Sequence, residues 1–426
     1  MTIKNAYDVL NIRKGATEED IKKAYVELVK RYDPEMHTDR FMMIKKAYDM
    51  LRDPRKRAKE DLFTFNYIKG EFHFTPDERD FDEKDAGEER IRELERQWLA
   101  DKTNEQVVKE FVLAMMRKSY REVQRKLWAE AISSWNTVLK ADPTHFRAKN
   151  NLTYSYITLG FSYANHDLLN EAIDLWEKAI KMNPDNQLLL HNLAIAYEKV
   201  GKKDQAEHYW AETIKRWKEQ LEREPDNEYL KTLIIEIHKH HGGRALETKK
   251  EPAQAIEEYR EILKINPNDF EAQYQIALSL YEEQKWDEAI AELKKLSQQY
   301  PKNVEVLNLL GWALLNAGQV DAAFMQWKKS LQQDPKNPNT RQNIINAHLT
   351  LGKTLREKGL LTPSLVHFKA LMRYLPQNPE VHMEIGKTYM LKGEYRQAFH
   401  EFKTVLDLDP KNQVARKMLS ELRMRR

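Results

Sequence analysis

The chain of 426 residues contains no cysteine, and its 70 Lys and Arg face 67 Asp and Glu for a formal net charge of +3. Such a chain holds no disulfide, zinc–thiolate site or thiol nucleophile, and a charge so near balance gives no argument for nucleic acid as a partner. No apolar run is long enough to span a bilayer, and Met1–Tyr7 lacks the apolar stretch of a secretory signal, so a cytoplasmic protein is the expectation.

The charge is unevenly distributed: residues 1–63 carry +3, residues 64–101 carry −6 and residues 102–426 carry +6. Composition shifts of this kind fall at domain boundaries, giving a small basic head, an acidic connector and a long body. In the head, Thr17 and Asp20 resemble a capping box that opens an amphipathic helix with Ile21, Tyr25, Leu28 and Tyr32 on one face. A second helix carries Phe41, Ile44, Ala47, Tyr48 and Leu51 and ends before Asp53-Pro54-Arg55. This order, with the later Arg57 and Asp61, resembles the J-domain of DnaJ-type co-chaperones. The resemblance implies a partner, a DnaK-type ATPase, facing Lys22, Lys23, Lys30 and Arg31, which otherwise read as a solvated helix face. It also implies a His-Pro-Asp tripeptide after the tyrosine of the first long helix. Here Tyr32 is followed by Asp33-Pro34-Glu35. A carboxylate at position 33 cannot donate as an imidazole does, and it reverses the charge. The expectation is a degenerate J-like docking module that does not stimulate ATP hydrolysis.

In the connector, Phe63, Phe65, Tyr67, Phe72 and Phe74 alternate with other residues around Lys69-Gly70, a period suited to an extended segment or hairpin with one buried face. These aromatics either pack on the head or first body helices, or form an edge for a partner. Asp77–Glu89 reads as an acidic loop, and Glu88–Leu99 as a helix leading into the body.

The body repeats. Pro143, Pro184, Pro225, Pro267, Pro301, Pro335, Pro376 and Pro410 follow one another at intervals of 34 to 42 residues. Twelve positions before them stand Ala131, Ala172, Thr213, Ala255, Ala289, Ala323, Ser364 and Ala398, all small. Eight positions before them stand Trp135, Trp176, Trp217, Tyr259, Leu293, Trp327, Phe368 and Phe402, all large. Nine positions after the first seven prolines come Leu152, Leu193, Ile234, Ile276, Leu310, Ile344 and Ile385. A small residue lets antiparallel helices approach, a large one four positions on shares its face, and proline ends the pair. Gly201, Gly318 and Gly393 fall where the first helix of a pair would be capped. The longer intervals exceed 34 by about two helical turns, which leaves an apolar stripe nearly in phase. In the third unit Ala206/Trp210 and Thr213/Trp217 both fit the columns.

These columns resemble tetratricopeptide repeats, which implies an all-α fold: a J-like helical head, then an α-solenoid of about eight helix-turn-helix units over 102–411, the first helix irregular. Asn412–Arg426, with Val414, Met418, Leu419 and Leu422, reads as the capping helix that such a stack needs. The family resemblance also implies a concave groove lined by the first helices, where asparagine reads the backbone of a bound peptide. The candidates are Arg147, Asn150, Asn151, Tyr154, His191, Asn192, Gln275, Asn308, Trp312, Asn343 and Asn346. Carboxamides both donate and accept, as an extended backbone requires. The lysine and arginine positions of the carboxylate clamp that some members use for a heat-shock chaperone hold other residues, so that ligand is not expected. His238-Lys239-His240-His241 reads as one core and two surface histidines. No phosphate loop, nucleophile elbow or paired-carboxylate arrangement stands out, so the expectation is a non-enzymatic adaptor with protein partners and no cofactor, metal or membrane insertion. The alternative is an active co-chaperone that recruits a DnaK-type ATPase to clients held in the groove.

Overall fold

The computed structural model describes residues 5–12, 14, 16–66, 71–80, 87–249 and 251–424, and every regular element among them is a helix. The chain divides into two compact units, Met1–Ile237 and His238–Arg426.

The first unit opens with the head: α1 (Ala6–Leu10), α2 (Glu18–Arg31), α3 (Thr38–Arg52) and α4 (Pro54–Asp61). Thr17 and Asp20 form the reciprocal capping box expected at the start of α2. Tyr7, Leu10, Ile21, Ile44, Ala47 and Leu51 form the core of α1 to α3, and Tyr25 stacks on Tyr48 beside them. Pro54 presets the first turn of α4, where the Asp53 carboxylate accepts from the Arg55 and Lys56 N–H groups.

Between head and repeats lie α5 (Pro76–Arg79) and α6 (Glu88–Ala100). Part of the expected acidic loop is therefore helical: Thr75 and Glu78 close a capping box around α5, and Glu78 is buried. The rest of the first unit consists of α7 (Glu105–Gln124), α8 (Trp128–Ala141), α9 (Phe146–Ala164), α10 (Leu169–Met182), α11 (Gln187–Lys199), α12 (Lys203–Arg223) and the start of α13 (Glu228–Arg244). The helix expected to be irregular, α7, is a continuous helix of 20 residues.

The second unit runs from His238 through α14 (Pro252–Ile265), α15 (Phe270–Glu282), α16 (Trp286–Gln299), α17 (Val304–Asn316), α18 (Val320–Gln333), α19 (Pro338–Glu357), α20 (Leu361–Leu371), α21 (Pro379–Lys392), α22 (Tyr395–Leu408) and α23 (Gln413–Met424). The repeats form an α-solenoid, and α23 covers its last pair with Ala415, Leu419 and Leu422. Val414, expected on that buried face, is exposed instead, and its neighbour Ala415 is buried in its place.

All eight members of the small column are fully buried, and every member of the large and third columns is buried. The extra residues of the longer units lie in helix: α9, α12 and α19 have 19, 21 and 20 residues, against 13 or 14 for α15 to α18. A fourth column becomes visible in the structure. Gly160, Gly352 and Gly386 each lie under an aromatic ring sixteen residues later, and a Cβ there would stand 2.5 to 2.7 Å from Trp176, Phe368 and Phe402. In the third unit buried Ala194 stands sixteen residues before Trp210, which places Trp210 in the large column by this spacing. Trp217, one heptad on, is buried as well because α12 is long enough to present both.

Candidate functional site

The first helices of the first-unit pairs, α7, α9 and α11, carry three of the candidate residues deep in the structure: Asn151, His191 and Asn192 are all buried. What buries them is the connector. The Asn66 N–H donates to Asn192 Oδ1 at 2.6 Å, and Asn192 Nδ2 donates back to the Asn66 carbonyl at 2.8 Å. One repeat earlier, the His73 N–H donates to Asn151 Oδ1 at 2.9 Å, and Asn151 Nδ2 donates to the His73 carbonyl at 3.2 Å. Each carboxamide thus satisfies both backbone groups of one connector residue, four bonds worth about 1 kcal/mol each net and more than that to leave unmade. Neighbouring repeats place their asparagines alike, so the same side chain reads the backbone twice.

The connector aromatics flank these stations. Phe65 lies against Trp176, with Lys199 over its ring, and Phe63 meets Trp210 edge-on. Phe72 stacks on Trp128 beside Tyr154, and Phe74 packs on Tyr120 and Trp135. Of the two readings open in the sequence, packing on the first repeat helices describes Phe72 and Phe74, while Phe65 and Phe63 pack further along, on α10 and α12; Tyr67 lies outside the described residues. Past them, Glu78 stands 3.9 Å from Arg147, and Arg117 Nε donates to the Asp77 carbonyl on α5. Asn150, beside Asn151, is half-buried.

His191 fastens the head end. Its Nε2 lies 2.7 Å from the Leu62 carbonyl and its Nδ1 2.6 Å from Asn66 Nδ2. A carbonyl accepts and an amide NH₂ donates, so the ring is the neutral Nε2–H tautomer. Burial foremost, with the Lys14 charge added, pushes its pKa down to about 3 against the pull of the Leu62 carbonyl. Lys14, buried at the edge of the head, donates to the Asp61 carbonyl at 2.5 Å and also to the Thr64 carbonyl, and burial pushes its pKa down to about 7.

The head is also held directly by α13. Tyr229 Oη donates to Asp61 Oδ2 at 2.7 Å, Tyr7 Oη donates to the same oxygen at 3.0 Å, and Arg57 Nε donates to Tyr7 Oη. Arg55 pairs with Glu228 at 2.7 Å and Lys59 with Glu236 at 3.0 Å. These two ion pairs are exposed and contribute little each. The buried Asp61 cluster carries the docking, and burial beside the Asp61 charge raises both tyrosine pKa values.

The opposite face of the head is open. Asp33, Pro34 and Glu35 are exposed, as are Lys22, Lys23, Lys30 and Arg31. Asp33 Oδ1 accepts from the Glu35 N–H at 2.8 Å, and Thr38 Oγ1 donates to the Pro34 carbonyl, so the tripeptide closes a turn on itself.

In the second unit the candidates are more dispersed. Gln275, Trp312 and Asn343 are half-buried and Asn346 is exposed, accepting from Gln342. Asn308 spends Oδ1 on Thr340 Oγ1 at 2.9 Å and its carbonyl on Trp327 Nε1, which ties α17 to α19 and α18. On α21, Glu384, one position on from the counterpart of Asn308, is taken by Arg356 and Lys387. His238 is buried with Nδ1 2.7 Å from Glu258, and no three potential metal ligands gather among the described residues.

Sequence reasoning missed Lys14, Tyr229 and the bond from His191 to Leu62. All three join positions far apart in the chain, and no local pattern marks them.

Comparison with known proteins fits this geometry. The DnaJ domain family matches residues 5–61, and tetratricopeptide repeat families match residues 175–208, 247–313, 280–324 and 379–412. A chaperone protein DnaJ of Carboxydothermus hydrogenoformans is 39% identical over 72 residues, which cover 16% of this chain and 19% of that protein. The chaperone protein DnaJ of Thermotoga neapolitana is 41% identical over 69 residues, 15% of this chain and 19% of that one. The chain therefore spans about a fifth of the length of the curated relatives it matches. A crystal structure of the MamA protein aligns with 42% of this chain and 93% of its own at 21% identity and a TM-score of 0.33. The chain carries a DnaJ domain followed by tetratricopeptide repeats, and no described helix is long and apolar enough to cross a membrane.

Proposed function

We propose that the protein is an assembly adaptor: its repeats bind a segment of one protein while its head docks another without driving ATP hydrolysis. The observation that carries this reading is the exposed Asp33-Pro34-Glu35 turn. Its Asp33 carboxylate caps the Glu35 N–H and offers an anion where the resemblance to DnaJ-type co-chaperones calls for an imidazole. A carboxylate accepts only, so it cannot make the donor contacts of that imidazole. The exposed basic side chains of Lys22, Lys23, Lys30 and Arg31 on α2, the helix that leads into the turn, still favour an acidic partner surface. Docking of a DnaK-type chaperone without stimulation is then the expected behaviour of the head. In this reading a partner segment runs along α15, α17 and α19, past Gln275, Trp312, Asn343 and Asn346. The second reading, an active co-chaperone, draws on the match of residues 5–61 to the DnaJ domain.

Single-turnover ATP hydrolysis by a DnaK-type chaperone tests the two. The adaptor reading expects no stimulation by the full chain and a gain of stimulation in the Asp33→His/Glu35→Asp variant. Stimulation by the unaltered chain, lost on Lys22→Ala/Lys23→Ala, would establish the co-chaperone instead.

A further inference from the structure

The groove of α7, α9 and α11 is already filled, and the way it is filled describes its ligand. At the Asn151 station the middle residue, His73, gives only its backbone to the groove, and its side chain is exposed. The flanking Phe72 and Phe74 enter separate aromatic seats, Trp128 with Tyr154 and Tyr120 with Trp135. At the Asn192 station the backbone of Asn66 is read in the same two-bond manner, and Phe65 before it is buried on Trp176. The sequence continues Phe65-Asn66-Tyr67 as it does Phe72-His73-Phe74, an aromatic residue on each side of the one whose backbone is bonded. In an extended chain residues two apart share a face, so at the Asn151 station Phe72 and Phe74 both turn to the groove while the exposed His73 side chain turns away. The site is thus built for a motif, aromatic–any–aromatic in extended form. At the Asn151 station it makes no demand on the middle side chain, whereas at the Asn192 station the buried Asn66 side chain also bonds His191.

We propose that this groove accepts in trans, at the Asn151 station, an extended segment of a partner protein carrying an aromatic–any–aromatic triplet, and that residues 71–78 are a resident internal copy which such a segment displaces. The two stations differ in depth: Phe65 and Asn66 are buried, whereas Phe72 and Phe74 are half-buried, with Glu71 and His73 exposed. The shallower station at Asn151 is the point of entry. Tethering gives the internal copy an effective concentration on the order of millimolar, so an equal segment in trans at micromolar concentration competes poorly until the internal copy is weakened. The inference rests on the adaptor reading, and it locates a second partner site apart from the groove of the second unit.

The test uses the full chain and a fluorescent peptide of residues 71–78, Glu71–Glu78. Anisotropy titrations compare the unaltered protein with a Phe72→Ser/Phe74→Ser variant whose seats at Asn151 are vacated. The variant is expected to bind the peptide at least about tenfold more tightly than the unaltered protein. Adding Asn151→Ala, or replacing both phenylalanines of the peptide by serine, is expected to abolish binding. Circular dichroism establishes that the variant keeps its helices. Should it not, the unaltered protein is used with excess unlabelled peptide, and hydrogen exchange at its own residues 71–78 must rise. No saturable binding by a folded variant, or binding that is equal in both proteins and insensitive to Asn151→Ala, would overturn the proposal. So would a dimer of the unaltered chain that exchanges connectors, since a second copy would then be the occupant. Failure here with an unstimulated DnaK-type chaperone leaves the adaptor reading in place, with its segment in the second unit. Stimulation in the ATPase assay removes that reading whatever the peptide does.

Discussion

Acid should release the connector, because one buried ring holds it in a single protonation state. His191 accepts from Asn66 at Nδ1 and donates to Leu62 at Nε2, and it lies against Trp210 and Trp217 at 5.3 and 5.2 Å. A second proton would break the Asn66 bond and add a cation beside the Lys14 ammonium. The pKa in the docked state is about 3, against 6.5 for an unburied imidazole. The docked value is the lower one, so docking is at full strength above 6.5 and weakens as the pH falls from there toward 3. Opened protein takes up the proton and docked protein does not. The linked loss is about 1.4 kcal/mol at pH 5.5 and about 2.7 kcal/mol at pH 4.5, close to tenfold per pH unit. Hydrogen exchange of residues 62–66 and 71–78, corrected for the intrinsic pH dependence of amide exchange, reads this as a fall in protection between pH 6.5 and 5.0. In that window Lys14, with its docked pKa near 7, is mostly charged whether docked or free and adds little slope, about 0.2 kcal/mol at pH 6.5. His191→Gln keeps a donor and an acceptor without a titrating ring, so its protection should stay flat. Equal slopes in the two proteins, or no slope in the unaltered one, would refute the reasoning.

Three further outcomes follow from the same geometry. Asn192→Ala leaves the buried N–H and C=O of Asn66 without partners, at about 1–3 kcal/mol for each group, and should raise exchange at residues 62–66 far more than in α15 or α17. Gly352→Ala places a Cβ 2.6 Å from fully buried Phe368, and overpacking of this kind costs about 1–3 kcal/mol, read as a lower thermal midpoint with no change at the connector. Lys14 has a docked pKa below its ordinary value of 10.5, so docking should strengthen as the pH rises from about 7 toward 9, and Lys14→Met should abolish that rise.

The repeats were legible because their packing is local. Small and large residues four apart on one helix, and a proline after it, recur wherever two helices must meet, and the small and large columns are buried in the structure. The glycine column was less visible. Its partner is sixteen residues away on the next helix, and the position accepts Ala194 as well as Gly160, Gly352 or Gly386. The asparagine column could be read at Asn151 and Asn192, but its occupant could not, since the bonded connector residues lie 78 and 126 positions earlier. Nor does the column alone separate a residue facing a ligand from one spent on its neighbours. Asn308, one position off the column, bonds Thr340, and Glu384, in it, bonds Arg356. The alternation of Phe63, Phe65, Phe72 and Phe74 marked rings that pack on the repeats without saying what they pack on, and its buried face holds in part: Phe65 is buried, Phe72 and Phe74 are half-buried and Phe63 is exposed.

The direction of the connector explains why the head and the groove act together. Along the chain, Leu62 and Asn66 meet α11, His73 meets α9 and Asp77 meets α7, so the connector runs against the order of the repeats. The head is left beside α13, where Asp61 receives Tyr229, and the chain travels back to begin α7. Asp61 and Leu62 are adjacent, so the bond from Tyr229 and the bond from His191 hold neighbouring residues, and neither end can leave without dragging the other. Releasing the groove therefore frees the head, and a partner that seized the head would loosen the connector. Tyr229→Phe and Asn192→Ala make this measurable. Each alone should lower connector protection, and independent sites would give additive losses. Residues sharing one short segment should instead couple by about 0.5–3 kcal/mol, with the second substitution costing less once the first has opened the connector. Strict additivity of the two losses, measured at residues 62–66, would mean that head and groove release separately.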